Sequence, residues 1–162
     1  MATLKEMQAD LLERVKSGIT TMSVEPFPDK PADYKLLHPV GAVLVRYNGG
    51  SYSQPGGMGF VRQDRRLDWE LVVVTRSLNK GDGAAYPILD ALRVLLTGYR
   101  LPDCDKLFPF KEEFLDEDNG IWQHTILFGC MSVNIEIPDE ESNPLLKRIT
   151  ANDNLGNTTE VV

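Results

Sequence analysis

The residues of this chain that could do acid–base chemistry are few and scattered. Its two histidines, His38 and His124, lie far apart in the sequence. A catalytic base needs an oriented partner within hydrogen-bond reach, and no motif supplies one for either histidine. We expect His124 to be a strand histidine half in water, on one strand face with Trp122 and Ile126. The sequence therefore predicts no catalytic residue and no enzyme.

Glycine-rich stretches raise the question of a phosphate-binding loop. Residues 49–51 and 56–59 fit neither GxGxxG nor GxxxxGK[ST], and no helix follows them whose N-terminus could hold an anion. Residues 80–83 do precede a predicted helix, but Asp82 would repel an anion there. Capping that helix is the simpler role for Asp82. We expect no cofactor and no cofactor-binding residue.

Metal-binding spacing is also missing from the sequence. Cys104 and Cys130 form no CxxC pair and have no histidine nearby, so we expect two free structural thiols. Cys130 falls among apolar strand residues, where a small buried side chain is expected. The pair Glu112 and Glu113 has no companion histidine. The sequence predicts no metal site.

Composition and charge narrow the classes of function. The chain has 162 residues, the usual size of one domain, with 17 basic against 24 acidic residues and a net charge of −7. Proteins bind phosphate backbones through Lys and Arg, and acidic residues outnumber these in this chain. We therefore expect no sequence-specific nucleic-acid binding. The longest apolar run, residues 71–74, is too short for a bilayer, and residues 1–18 do not form a signal peptide. We expect no membrane partner and a protein made and used inside the cell.

Acidic residues concentrate in two places. They are Glu112, Glu113, Asp116, Glu117 and Asp118, followed by Asp139, Glu140 and Glu141. One interpretation is a solvated loop and tail. The other is a negative surface along a path that DNA passes without sticking, and charge alone does not separate the two.

Two helices are well signalled. Thr3 and Glu6 form a capping box, apolar residues then recur at helical spacing, and Gly18 ends the first helix. The second helix is predicted over residues 83–97. Gly98 follows its last apolar position, where a left-handed residue commonly closes a helix.

Strands are predicted over residues 19–24, 40–47, 66–76, 106–115 and 121–137, the last bent or bulged at Gly129. Hairpin-like links between consecutive strands favour antiparallel pairing. We therefore predict an α+β fold: a mostly antiparallel (mixed) sheet of four to five strands with two helices packed on one face. Residues 1–137 should form a single domain. Residues 138–162 should be a loosely ordered extension in which Leu145, Leu146 and Ile149 could dock on a neighbouring subunit.

Residues 48–64 are the best local candidate for an interaction site. This stretch is predicted to be a long connection without periodicity, and such connections are commonly functional or disordered. We single out Tyr52 within it and the basic cluster Arg62, Arg65 and Arg66 at its end as protein-interaction residues.

Tyr99 and Arg100 form a second candidate because they directly follow the Gly98 turn. Tyr99 could pack back and fix the helix end to the sheet, as residues after a helix commonly do. The alternative is direct contact with a partner.

Several segments together resemble a known family. They are residues 26–29 (PFPD), 38–47 (HPVGAVLVRY), 50–53 (GSYS), 65–78, 92–102 and 120–122 (GIW). In order and spacing they are similar to the tail-completion proteins of Mu-like phages and prophages, which resemble the tail terminators of long-tailed phages. The resemblance covers most of residues 1–137.

The resemblance implies a virion protein that caps the tail tube, and the sheath if the tail is contractile, and forms the head-joining surface. It implies a hexameric ring of copies that contacts the tail tube protein, the sheath protein if the tail is contractile, and a neck or connector protein. Its location would be the host cytoplasm during assembly and then the virion tail, with DNA passing through the lumen. Two alternatives stay open: a neck or head–tail connector protein, and a small intracellular ligand-binding or regulatory α+β domain.

Overall fold

The computed structural model describes residues 1–138, 149–152 and 158–161. Its helices are α1 (Leu4–Gly18) and α2 (Ala85–Leu96), and a single 3-10 turn spans Pro31–Asp33. Its strands are β1 (Ser23–Pro26), β2 (Gly41–Tyr52), β3 (Arg62–Thr75), β4 (Phe108–Asp118), β5 (Ile121–Ile135), β6 (Ile149–Asn152) and β7 (Thr158–Val161).

Five of the strands form one mixed sheet in the order β1-β2-β3-β5-β4. β1 runs parallel to β2, and the other neighbouring pairs are antiparallel. Both helices pack on the same face of this sheet. The predicted α+β fold is therefore confirmed.

The first helix begins as its sequence predicts. The Thr3 hydroxyl accepts a hydrogen bond from the Glu6 backbone N–H at 3.2 Å, and the Glu6 carboxylate accepts one from the Thr3 N–H at 2.7 Å. This reciprocal pair satisfies two N–H groups that a helix start otherwise leaves open. Met7, Leu11 and Val15 then lie buried along one stripe against the sheet.

The second helix lacks the predicted cap. Its N-cap residue is Ala84, which makes no side-chain hydrogen bond, so the capping role predicted for Asp82 is wrong. Backbone bonds hold the helix start instead: the Ala85 N–H donates to the Ser77 carbonyl at 2.9 Å. At the other end Gly98 has a φ of 83°, which confirms the predicted left-handed closure.

The core lies between the sheet and the two helices. Its largest fully buried side chains are Trp69, Phe128, Met7, Leu11, Leu67, Leu71, Leu92, Leu96, Leu101, Leu107, Ile126 and Val15. A smaller buried cluster on the opposite face joins Ala42, Leu44, Val72 and Val74, and Phe27, Tyr34 and Leu36 from the β1–β2 connection pack against it. The sheet is thus buried on both faces at the paired parts of β2 and β3 and in the middle of β5, where residues 124–130 are all buried.

Several predicted strand limits are corrected. The first strand is Ser23–Pro26 rather than 19–24, because Ile19 closes α1 and is buried in the core. The bulge predicted at Gly129 is absent from the β3–β5 pairing; β4 carries the irregularities instead. Position 129 requires a glycine for a different reason: a Cβ atom there would lie 2.8 Å from the Phe108 ring.

The C-terminal stretch is described only in part. β6 pairs with β7 in a separate two-stranded antiparallel sheet. Leu145 and Leu146, predicted as docking residues, lie outside the described residues, and Ile149 begins β6.

Candidate protein-interaction surface

β2 and β3 continue past the core as a hairpin, residues 48–66, which we call the arm, and residues 131–135 of β5 pair along its β3 strand. Tyr52 pairs with Arg65 in the register, and Gly49, at a φ of 115°, follows a register shift in β2. Two hydrogen bonds between Gly56 and Arg62, at 2.8 and 2.9 Å, close the remaining loop. The long irregular connection predicted over residues 48–64 is therefore wrong. Neither face of this hairpin meets the core, so its sequence lacks the apolar alternation that marks a half-buried strand.

The tip of the arm, residues 57–61, holds apolar side chains in water. Met58 is 99% exposed, Phe60 48% and Val61 41%. The backbone of Val61 is fixed to the chain just after β5: its N–H donates to the Glu136 carboxylate at 2.7 Å, and its carbonyl accepts from the Glu136 N–H at 2.8 Å. The tip is therefore an anchored turn with exposed apolar groups.

Tyr52 and Arg65 act as a unit on one face of the arm. The Arg65 guanidinium lies 5.7 Å from the centre of the Tyr52 ring, within cation–π range. Tyr52 remains 55% exposed, whereas Arg65 Nε is buried and has no hydrogen-bond partner among the described residues. The pair presents an aromatic surface backed by a positive charge.

Arg66 lies on the other face and is engaged within the chain. Its Nε donates to the Asp68 carboxylate at 2.8 Å, and its guanidinium lies 4.6 Å from the Phe110 ring centre and 5.6 Å from that of Phe108. Arg62, by contrast, is exposed at the start of β3. The predicted basic cluster is thus divided: Arg65 and Arg66 point to opposite faces, and Arg62 lies nearest the tip.

Tyr99 has a structural contact at the end of α2. Its hydroxyl donates to the Asp10 carboxylate at 2.8 Å, and the Arg14 guanidinium lies 4.8 Å from its ring centre. Burial, together with the hydrogen bond to Asp10, raises the pKa of the Tyr99 hydroxyl. These contacts join the end of α2 to α1, whereas the packing alternative from the sequence placed Tyr99 against the sheet.

Arg100 lies near the base of the arm. It lines an open cleft of about 810 Å³ together with Asp64, Asp103 and Asp105. Asp64 belongs to β3, so the fold brings Arg100 beside the arm although the two are distant in sequence. Acidic side chains outnumber basic ones in this lining, which disfavours an anionic ligand.

Cys104 lines this cleft, and its thiol contacts that of Cys130 in the core beneath it. Both are free and Cys130 is fully buried, as predicted. A hydrogen bond from the Cys130 thiol lowers the pKa of Cys104, and the same contact, together with burial, raises the pKa of Cys130. Within the described ranges, no group of three or more His, Cys, Asp or Glu residues could hold a metal ion.

His124 differs from its prediction. Its side chain is 8% exposed rather than half in water, because the Phe114 ring, centred 5.5 Å away, and Tyr86 of α2 cover it. Nδ1 of this imidazole is buried without a hydrogen-bond partner among the described residues, and burial lowers the pKa of His124.

Sequence reasoning missed the exposure of β4. This strand lies at the edge of the sheet and leaves Phe110 42%, Phe114 58% and Leu115 45% exposed. The available signal was charge: residues 111–113 and 116–118 interrupt the apolar positions, a pattern typical of a strand exposed on both faces.

No described helix has the length and apolarity needed to cross a membrane. A family model described as Gp37 protein matches residues 11–153, a stretch that contains the second half of α1, all of α2 and the five-stranded sheet with its arm. A search of curated proteins gave no match. The chain therefore belongs to the Gp37 protein family, a phage-associated family.

Proposed function

We propose that this phage protein is a structural component of the virion: a tail terminator that caps the tail tube and forms the surface to which the head joins. The family membership supports a phage role, and the resemblance of residues 1–137 to tail-completion proteins supports the specific one. Fold alone does not imply function, so the proposal rests on a particular surface.

The observation that carries the proposal is the arm. Its tip exposes Met58, Phe60 and Val61 on an anchored turn, beside the exposed Arg62. Exposed apolar groups rimmed by charge are typical of surfaces that bind another protein. We assign the tip to contact with the end of the tail tube, and with the sheath if the tail is contractile.

The proposed role is binding and needs no catalysis or cofactor. A ring of copies would surround the path of the DNA, and the net charge of −7 would keep a phosphate backbone from sticking to it. Sequence-specific contact with DNA is not required. The neck or connector protein would bind the side of the ring that faces the head.

Electron microscopy of particles from a lysate that lacks this gene tests the proposal. We expect overlong, irregular tails without heads, because nothing would end tube growth. Supplying the wild-type gene from a plasmid should restore tails of uniform length, which controls for effects on neighbouring genes.

Two other results would contradict the terminator role. Tails of uniform length beside separate, filled heads would identify a connector that joins finished parts. Normal virions would exclude both virion roles and favour a small ligand-binding or regulatory domain.

A further inference from the structure

The main sheet has two open edges. β4 forms one edge and pairs with β5 alone among the described strands. On the other edge, β1 pairs only with residues 42–45 of β2, so residues 48–52 in the arm have no partner on that side within the described ranges. Unpaired strand edges expose backbone N–H and C=O groups that can pair with another chain.

The arm and the β4 edge differ in charge. The open strand of the arm, residues 48–52, carries no charged residue itself, but Arg65 of the paired strand lies 5.7 Å from the centre of the Tyr52 ring. Residues 48–66 contain three arginines and one aspartate, whereas residues 108–120 contain five acidic residues and one lysine. Each edge also exposes apolar surface: Tyr52 on the arm, and Phe110, Phe114 and Leu115 on β4. A β4 edge from one molecule and an arm from another are therefore complementary in charge and both partly apolar.

The two edges also lie on opposite sides of the sheet. β3 and β5 separate the arm strand β2 from β4. The first β4 residues lie level with the base of the arm, where Phe108 and Phe110 contact Arg66. One molecule therefore cannot pair its own β4 edge with its own residues 48–52.

We propose that copies of this chain assemble head to tail, with the acidic β4 edge of one copy docking on the arm edge, residues 48–52, of the next. The sheets would then continue from copy to copy through backbone hydrogen bonds. Such a contact joins two different surfaces, so it forms a ring when the rotation between copies closes. The inference rests on the proposed function in one respect, which is that a terminator acts as a ring of copies.

Two charge-reversed variants test this contact. The arm variant carries Arg62→Glu and Arg65→Glu. The edge variant carries Glu112→Lys, Glu113→Lys and Asp118→Lys, which leaves four lysines against two acidic residues in residues 108–120. Glu112 and Asp118 make no side-chain hydrogen bond or ion pair with the described residues, and Glu113 makes only an exposed ion pair with Lys111, so these changes should leave the fold intact. Because like charges across an interface cost several kcal/mol, each variant alone should weaken self-association about 100-fold.

Mixing the two variants gives the decisive result. The arm variant has acidic surfaces at both ends and the edge variant has basic surfaces at both ends, so an equimolar mixture should assemble again, in alternation. Sedimentation velocity at low and high salt provides the measurement, and the wild-type assembly should weaken as salt rises. Lys5→Glu with Lys16→Glu, on the exposed side of α1, is the matched control and should assemble like the wild type.

Arg65→Glu needs a check on folding, because Arg65 Nε is buried. Circular dichroism supplies the check, and Arg62→Glu alone replaces the arm variant if the double change unfolds the chain. A wild-type protein that stays monomeric, variants that assemble normally, or a mixture that fails to assemble would each overturn the inference. None of these results bears on tail length, so the proposed function is decided separately by the deletion lysate.

Discussion

The two ends of the β2–β3 hairpin differ sharply in burial. At one end, residues 42–45 pair with residues 71–74, and all eight side chains are buried between the helices and the β1–β2 connection. At the other end, the same two strands form the arm, where Tyr52 and Phe60 are about half exposed and Met58 is 99% exposed. A single hairpin thus contributes both part of the core and, in Met58, the most exposed large apolar side chain of the described residues.

This difference shows how one continuous hairpin can stabilise the fold with one half and offer a binding surface with the other. The buried half is fixed by side-chain packing on both faces, and backbone pairing extends that order outward into the arm. The arm therefore presents its side chains on a preformed surface and loses little conformational freedom when it binds. The comparison predicts that substitutions in the buried half mainly lower the stability of the fold, whereas substitutions in the arm mainly weaken binding to a partner.

The largest expected effect comes from the core. Trp69→Ala should lower the free energy of unfolding by about 3–5 kcal/mol, because Trp69 is fully buried beneath the helices. Urea denaturation followed by circular dichroism measures it. Trp69→Phe is the matched control and should cost less, since the indole Nε1 has no hydrogen-bond partner among the described residues. Equal costs for both variants would mean that ring volume does not determine stability at this site.

An intermediate effect concerns His124 and pH. Burial lowers the pKa of His124 below its usual 6.5, so the unfolded chain binds this proton more readily than the folded one. The stability contributed by neutral His124 is present above pH 6.5 and is lost as the pH falls below it. Urea denaturation across this range should show that loss in the wild type and a flatter profile in His124→Leu. An unchanged profile in the variant would assign the pH dependence to other groups.

The smallest expected effect on stability comes from the tip. Met58→Ser combined with Phe60→Ser should change the free energy of unfolding by less than about 0.5 kcal/mol, because Met58 is 99% and Phe60 48% exposed. Urea denaturation checks this. A loss as large as that of a core variant would remove the distinction between the two halves of the hairpin.

The parts of the fold that the sequence predicts are those governed by local rules. The capping box at Thr3, the apolar stripe of α1 and the left-handed Gly98 depend on residues within a few positions of each other, and all three are confirmed. The buried half of β3 was predicted for the same reason, since its continuous apolar run is typical of a strand covered on both faces.

The arm and the open β4 edge depend on pairing between distant residues. The arm is held by the register with β3 and by the contact of Val61 with Glu136, which no local pattern encodes. His124 is buried because Tyr86 of α2, distant from it in sequence, and Phe114 of the neighbouring strand β4 pack against its ring. The candidate residues Tyr52, Arg62 and Arg65 were found by composition, and their separation from Arg66 and Tyr99 required the structure.

The most direct test of the account is the length of tails in a deletion lysate complemented with the tip variant, Met58→Ser with Phe60→Ser. Val94→Ser, at a 71% exposed apolar position on α2, is the matched control. We predict that the wild type and the control restore uniform tails, while the folded tip variant leaves overlong tails without heads. Uniform tails with the tip variant would contradict the claim that the arm binds the tube.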